Sequence, residues 1–91
     1  PILEIAFSSS FKRAYKKRSK NNKDFEEKFL QSVEIFCKDP FDRQLRTHKL
    51  KGKLKDLWSF SIEFNLRVIF YFEEKDKKAI FTDIGSHDEV Y

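Results

Sequence analysis

His48 and His87 are the only histidines in the chain, and they are its best candidates for proton transfer. Histidine suits this role because its unperturbed pKa of about 6.5 lies near working pH. RNA carries its own nucleophile, the ribose 2′-OH. A protein that cleaves RNA therefore needs only a base near that hydroxyl, an acid for the leaving 5′ oxygen and cations for the developing phosphorane charge. These residue types favour acid–base chemistry on a phosphodiester.

The sequence contains no motif of several other classes of enzyme. There is no glycine-rich phosphate loop, no serine nucleophile elbow and no paired-cysteine zinc spacing, which disfavours a nucleotide-dependent enzyme. A metal site built on two histidines would need nearby carboxylates such as Asp88, and no HxH or HxxxH ligand pair is present. We therefore expect neither a metal ion nor a cofactor.

The cations are concentrated in two blocks. Seven lie between Ser8 and Lys23 and six between Arg43 and Lys55, and neither block contains an acid. The formal net charge is +4. Two uninterrupted basic blocks in one small chain indicate a polyanionic partner, although charged surfaces are often merely solvated. The second block supplies the candidate RNA contacts, which are Arg46, Lys49, Lys51, Lys53 and Lys55.

The elements that must position these residues follow from hydrophobic spacing and capping residues. A strand is predicted at Ile2–Phe7, a helix begins at the following serine cluster, and a second helix is opened by a capping box of Asp24 and Glu27. Pro40 ends the second helix, because proline disfavours helical geometry in the residue before it. An irregular basic loop over residues 41–55 leads to three strands, predicted at 57–64, 67–73 and 79–84.

The predicted order is β-α-α-β-β-β, which is typical of an α+β fold. We expect an N-terminal strand and an antiparallel two-helix hairpin packed on a mainly antiparallel four-stranded sheet. The 91 residues suit one domain, 1–91, and the 11 phenylalanines predict an aromatic core. Cys37 is the only cysteine and lies on the apolar stripe of the second helix, so we interpret it as a buried residue rather than a nucleophile. A lone cysteine and the lack of a membrane-length apolar run favour a cytoplasmic protein.

Three segments together resemble a known family. They are Leu45–Leu54 leading into Leu57–Ile62, the strand Arg67–Tyr71, and the ending Asp83–Tyr91 with its Gly-Ser-His-Asp-Glu-Val-Tyr run. The chain is similar to the RelE/ParE toxin superfamily, in particular its mRNA-interferase (RelE/YafQ-like) branch in bacterial type II toxin–antitoxin pairs. The resemblance implies a RelE-like fold and metal-independent cleavage of mRNA by 2′-OH attack, commonly in the ribosomal A site. It also implies a small antitoxin, with a segment expected to be acidic, that wraps and silences the toxin in a hetero-oligomer.

The resemblance also assigns roles by position. Arg67 would stabilise the phosphate, His87 would be the general acid, and Tyr91 would stack on a base or orient the phosphate. His48 matches a histidine used by the histidine-rich members. Ser61 stands where those members carry a second histidine, which leaves the general base unassigned.

Each of these residues also has a structural alternative. Arg67 could pair with a neighbouring glutamate, His87 could cap the sheet, His48 could be a solvated loop residue and Tyr91 could pack in the core. Two other functions belong to the same superfamily: noncatalytic inhibition of DNA gyrase, and antitoxin binding by a decayed toxin. His87 and Tyr91 favour cleavage, because an inhibitor needs no proton donor.

Overall fold

The computed structural model describes residues 3–52 and 56–90. Its elements, in chain order, are β1 (Glu4–Phe7), α1 (Ser9–Ser19), α2 (Lys23–Lys38), a 3₁₀ turn (Arg43–Leu45), β2 (His48–Lys49), β3 (Trp58–Glu63), β4 (Leu66–Glu73), β5 (Lys78–Gly85) and α3 (His87–Val90). The predicted α+β order is confirmed, and β2, the 3₁₀ turn and α3 are additions to it.

The strands form one mixed sheet in the order β1-β5-β4-β3-β2. β1 runs parallel to β5, and every other pair is antiparallel, so the sheet is mainly antiparallel as predicted. The expected number of four strands was one too few. β2 has only two residues, which is too short for an alternating pattern to show in the sequence.

Side-chain caps fix the starts of the two long helices. Ser8 accepts a hydrogen bond from the backbone N–H of Phe11 at 3.1 Å, as the serine cluster predicted. The capping box predicted for α2 is wrong, because Asn22 lies ahead of it and accepts from the N–H of Phe25 at 3.1 Å. Asp24 instead lies in the first turn, where a negative charge favours the helix dipole. α2 ends at Lys38, before Pro40, as predicted.

Aromatic rings form the core between the helices and the sheet. Phe36 of α2 packs against Phe60, Phe70 and Phe81, with ring centroids 4.8, 4.9 and 5.4 Å away. All four side chains are fully buried. This packing covers one face of β3, β4 and β5 and so holds the strands that carry Arg67 and Ser61.

The two helices form the expected antiparallel hairpin. Phe11 contacts Phe29 with centroids 5.9 Å apart, whereas Tyr15, one turn later in α1, contacts Phe25, one turn earlier in α2, at 5.3 Å. Partial burial of Tyr15 raises the pKa of its hydroxyl, with a smaller contribution from the negative charge of Glu26.

No helix in the described part of the chain is both long enough and apolar enough to cross a bilayer.

Candidate active site

Arg67 lies near the start of β4, in the interior of the sheet. Its cross-strand partners are Ser61 on β3 and Gly85 on β5. The Nη1 atom of Arg67 lies 3.5 Å from the Ser61 Oγ, and the Nε atom is buried. The guanidinium is therefore held against the sheet by its neighbours, and the side chain as a whole is half-buried. A cation fixed in this way is suited to binding an anion with little loss of side-chain entropy.

Strand register determines which face the candidate residues share. Phe60 belongs to the core under the helices, so its neighbours Ser59 and Ser61 point to the opposite face. Arg67 is the partner of Ser61, and His48 is the partner of Ser59, so both candidates lie on that opposite face. With strands about 4.8 Å apart and a rise of about 3.4 Å per residue, the Cα atoms of His48 and Arg67 lie about 12 Å apart. A long arginine side chain and an imidazole can approach one nucleotide from that separation.

Arg46 follows the 3₁₀ turn, and His48 begins β2 two residues later. Asp42 caps the 3₁₀ turn by accepting from the N–H of Gln44 at 2.9 Å, and Arg46 ends it in a left-handed conformation with φ 52°. The Nδ1 atom of His48 lies 3.1 Å from the Arg46 carbonyl oxygen. If Nδ1 carries the proton and donates to that carbonyl, Nε2 is the nitrogen left to accept one. Both side chains are exposed.

His87 is the first residue of α3, and Ser86 alone separates it from the end of β5. Its backbone N–H donates to the Asn65 Oδ1 at 3.3 Å, which ties the start of α3 to the turn between β3 and β4. Its Nδ1 atom lies 3.7 Å from the Asp88 Oδ1, and 55% of the side chain is exposed. Since Arg67 is paired with Gly85, the chain reaches His87 two residues beyond the strand position opposite Arg67.

A cleft of about 270 Å³ opens between the 3₁₀ turn and the β3–β4 hairpin. Within the described residues, Arg46 and Arg67 both line it, whereas His48 and His87 lie outside the lining. Glu63 is the one acid in it, and its carboxylate is engaged by the Lys28 Nζ at 2.7 Å. Two arginine side chains therefore line the cleft, whose single acid among the described residues is already paired with Lys28. Its complete lining is Gln44, Arg46, Ser61, Ile62, Glu63, Phe64 and Arg67.

The basic surface continues along the loop. Lys49 and Lys51 are exposed on the chain that follows Arg46 and His48. Lys53, Lys55 and Tyr91, which the sequence also indicated, lie outside the described residues. No group of three or more His, Cys, Asp or Glu side chains within residues 3–52 and 56–90 is arranged to hold a metal ion.

Cys37 lies near the end of α2 and is partly buried, less completely than the sequence suggested. Burial raises the pKa of its thiol, so at neutral pH it is protonated and a poor nucleophile. This agrees with a packing role.

Three residues of the site region carry no functional signal strong enough to single them out in the sequence. Gln44 and Phe64 line the cleft, and Asn65 holds the backbone of His87. The strands predicted at 57–64 and 67–73 place a tight turn at Asn65 and Leu66, whereas the observed turn is Phe64 and Asn65, because Leu66 pairs with Glu63 and begins β4. Because residues 57–64 were predicted as one strand with alternating apolar residues, nothing in the sequence indicated that Phe64 lies in the turn.

Comparison with known proteins assigns the fold and the family. Residues 3–91 match the family described as bacterial toxin of type II toxin–antitoxin system, YafQ. No curated protein sequence matches significantly.

Several solved structures are similar. A copper-bound mutant toxin from Helicobacter pylori is 26% identical, with a TM-score of 0.79 over 99% of this chain and 100% of that chain. YafQ from E. coli, in its complex with DinJ, is 23% identical, with a TM-score of 0.73 over 98% of both chains. A YoeB/ParE toxin from Agrobacterium tumefaciens is 16% identical, with a TM-score of 0.79 over 93% of this chain and 99% of that chain. The last two likenesses show the fold alone.

Proposed function

The chain belongs to the YafQ family of bacterial type II toxins, and we propose that it is a metal-independent endoribonuclease that cleaves mRNA in the cytoplasm, on the ribosome. The observation that carries this proposal is the cleft that Arg46 and Arg67 both line, with His48 on the same sheet face as Arg67. A pair of guanidinium groups matches the geometry of a phosphodiester, because each presents a planar fork of N–H donors.

The reaction needs no nucleophile from the protein. The 2′ oxygen of the ribose attacks the adjacent phosphorus while a base takes its proton. The P–O5′ bond breaks, and an acid gives a proton to the leaving 5′ oxygen. The products are a 2′,3′-cyclic phosphate and a 5′-OH end.

We assign the roles from the chemistry of each residue and from its match to the family pattern. Arg67 stabilises the charge that develops on the phosphorane oxygens, because it is fixed in the sheet before substrate arrives. His87, exposed at the start of α3, is the general acid. His48 is our candidate for the base, since its Nε2 is free to accept a proton when Nδ1 donates to the Arg46 carbonyl oxygen. Tyr91 is the candidate base-stacking or phosphate-orienting residue.

The exposed cations of the loop extend the site along the RNA. Arg46 lies at the cleft, and Lys49 and Lys51 follow it within five residues. Contacts of this kind supply affinity that depends on salt and not on sequence. They suit a substrate whose backbone runs past the cleft.

We also infer a cognate antitoxin. The E. coli relative was solved together with DinJ. An apolar groove of about 290 Å³ on the helical side of this chain is lined by Phe7, Phe11, Lys12, Tyr15 and Phe29, and 43% of Phe7 is exposed. The surrounding surface of α1 is basic and contains no acid. An acidic segment with apolar side chains complements both features, and it is the antitoxin partner that we propose for this groove.

The proposal is tested in a translating extract that lacks antitoxin. Reporter mRNA is mapped by primer extension after addition of the wild type, the Arg67→Ala variant or the Arg43→Ala variant, since Arg43 is an exposed arginine outside the cleft lining. We expect new 5′ ends with the wild type and Arg43→Ala and far fewer with Arg67→Ala. An intact message together with inhibition of DNA gyrase supercoiling would contradict the nuclease proposal and support the gyrase alternative.

A further inference from the structure

Phe64 is the most exposed of the large apolar side chains in the described residues. It lies in the two-residue turn between β3 and β4, and 94% of it is accessible to solvent. Turn geometry does not explain its presence, because turns favour Gly, Asn, Asp, Pro and Ser. Two other exposed phenylalanines are supported by neighbours, since Phe7 stacks on Phe11 and Phe41 packs on Trp58. Within residues 3–52 and 56–90, no ring contact of this kind involves Phe64.

The location of Phe64 relates it to the candidate active site. Its side chain lines the cleft that contains Arg46 and Arg67, and it also lines a second depression that contains Arg18. Phe64 therefore lines both depressions, and each contains arginine together with Glu63, whose carboxylate is engaged by the Lys28 Nζ. Phe64 and Arg67 are three residues apart, so their Cα atoms lie within about 11 Å.

The turn that carries the ring is held in place. Glu63 and Leu66 pair across the hairpin, and the Asn65 side chain accepts the N–H of His87 at 3.3 Å. The turn is thus coupled both to the sheet that carries Arg67 and to the helix that carries His87. The backbone beneath the ring is therefore held before a ligand binds, and only the two side-chain torsions of Phe64 remain to be ordered.

We propose that Phe64 is a stacking platform for an unpaired nucleobase next to the phosphate that Arg46 and Arg67 bind. The inference rests on the proposed ribonuclease function and adds a base-binding subsite to it. An aromatic ring beside arginine side chains is a common arrangement for binding single-stranded nucleic acid, in which cations follow the backbone and rings stack on bases. Because every base has a flat apolar face, the platform contributes affinity and positioning without strong sequence preference.

The test uses the full chain and a single-stranded RNA whose riboses carry 2′-fluoro groups, so that no 2′-OH is available for cleavage. One 2-aminopurine reports stacking by fluorescence quenching. The RNA is offered free and in the vacant decoding site of programmed ribosomes. The variants are Phe64→Ala, Phe64→Leu, which keeps apolar area without a ring, and Phe64→Tyr, which keeps the ring. Leu30→Ala is the matched control, because Leu30 is 59% exposed and lies on α2 away from the cleft.

We expect Phe64→Ala and Phe64→Leu to weaken binding about 5- to 150-fold and to lose the quenching, the range expected for one base–aromatic stack. Phe64→Tyr and Leu30→Ala should stay within about twofold of the wild type. The salt dependence of binding should not change with Phe64→Leu, because the cations that bind phosphates are all still present. Melting temperatures should also be unchanged, since the ring is almost fully exposed.

Three results would overturn the inference in distinguishable ways. If Phe64→Leu binds and quenches like the wild type while Arg67→Ala binds poorly, the platform is wrong and the proposed nuclease function stands. If the wild type binds the RNA neither free nor on the ribosome, both the stacking platform and the proposed nuclease function are wrong. Unchanged RNA binding by Phe64→Leu together with weaker binding of the antitoxin would show that the ring is a protein contact, which also contradicts the platform.

Discussion

Replacement of Arg67 by lysine or alanine separates the charge of this side chain from its geometry. The half-buried guanidinium lies beside the Ser61 Oγ at 3.5 Å and opposite Gly85. Removal of one preorganised group that stabilises developing charge costs about 10²–10³ in rate, or about 2.7–4 kcal/mol. We therefore expect Arg67→Ala to lower the single-turnover cleavage rate by that factor. Arg67→Lys should recover part of it, because lysine keeps the charge but loses the bidentate fork.

The assay is single-turnover cleavage of a defined mRNA with enzyme in excess, which reports the chemical step and not product release. The melting temperature of each variant is measured together with its cleavage rate, so that a loss of stability is detected. A loss of about 1 kcal/mol lowers the melting temperature by about 4–8 °C in a domain of this size. Arg43→Ala provides the control for loss of one exposed positive charge. Equal rates for wild type and Arg67→Ala, with both proteins folded, would refute the assignment of Arg67 to the phosphate.

The remaining predictions concern the acid, the loop and the thiol. His87→Gln should slow cleavage by about 10²–10⁴-fold with the fold intact, and equal rates at every pH from 5 to 9 would remove His87 from the mechanism. Charge reversal of Lys49 and Lys51 together should reduce the slope of log affinity against log salt concentration by about 0.7 for each phosphate that the loop no longer neutralises. An unchanged slope would show that these lysines are only a solvated surface. Since burial raises the pKa of Cys37, its thiol should react with a disulfide reagent at pH 8 more slowly in the folded than in the unfolded chain, and faster as pH rises. Equal rates in the two states would contradict this.

Much of the fold could be predicted because local rules and tertiary packing agree. The serine before α1 caps that helix, and Pro40 ends α2 where expected. Apolar and polar residues alternate along β3, whereas β4 is a nearly continuous apolar run. Both patterns are typical of strands in a sheet that packs against a core. β2 could not be predicted, because its two residues become a strand only through pairing with Ser59 and Trp58.

The start of α2 shows where local rules compete. Asn22 and the Asp24–Glu27 pair both carry capping signals, and the structure uses the earlier one. Nothing in the sequence alone decides between two caps that lie two residues apart. The same limit applies to α3, whose four residues are too few for any period to appear.

The site was predictable in residue type but not in arrangement. Two histidines, an arginine and a basic loop indicated phosphodiester chemistry, and the β4–β5 hairpin places Arg67 opposite Gly85, near the strand end that precedes His87. The cleft between Arg46 and Arg67 depends on how the 3₁₀ turn packs beside β3, which is a tertiary property. The part of Asn65 in holding His87 depends likewise on a contact between residues 22 positions apart.

The chemistry of the cut ends tests the central claim most directly. RNA fragments released by the wild-type protein in a translating extract should be analysed for the group at the 3′ end of the upstream piece. Attack by the 2′-OH leaves a 2′,3′-cyclic phosphate, or a 3′-phosphate after hydrolysis, with a 5′-OH on the downstream piece. Our account predicts these ends. A 3′-OH paired with a 5′-phosphate would contradict it, because that outcome requires an external nucleophile.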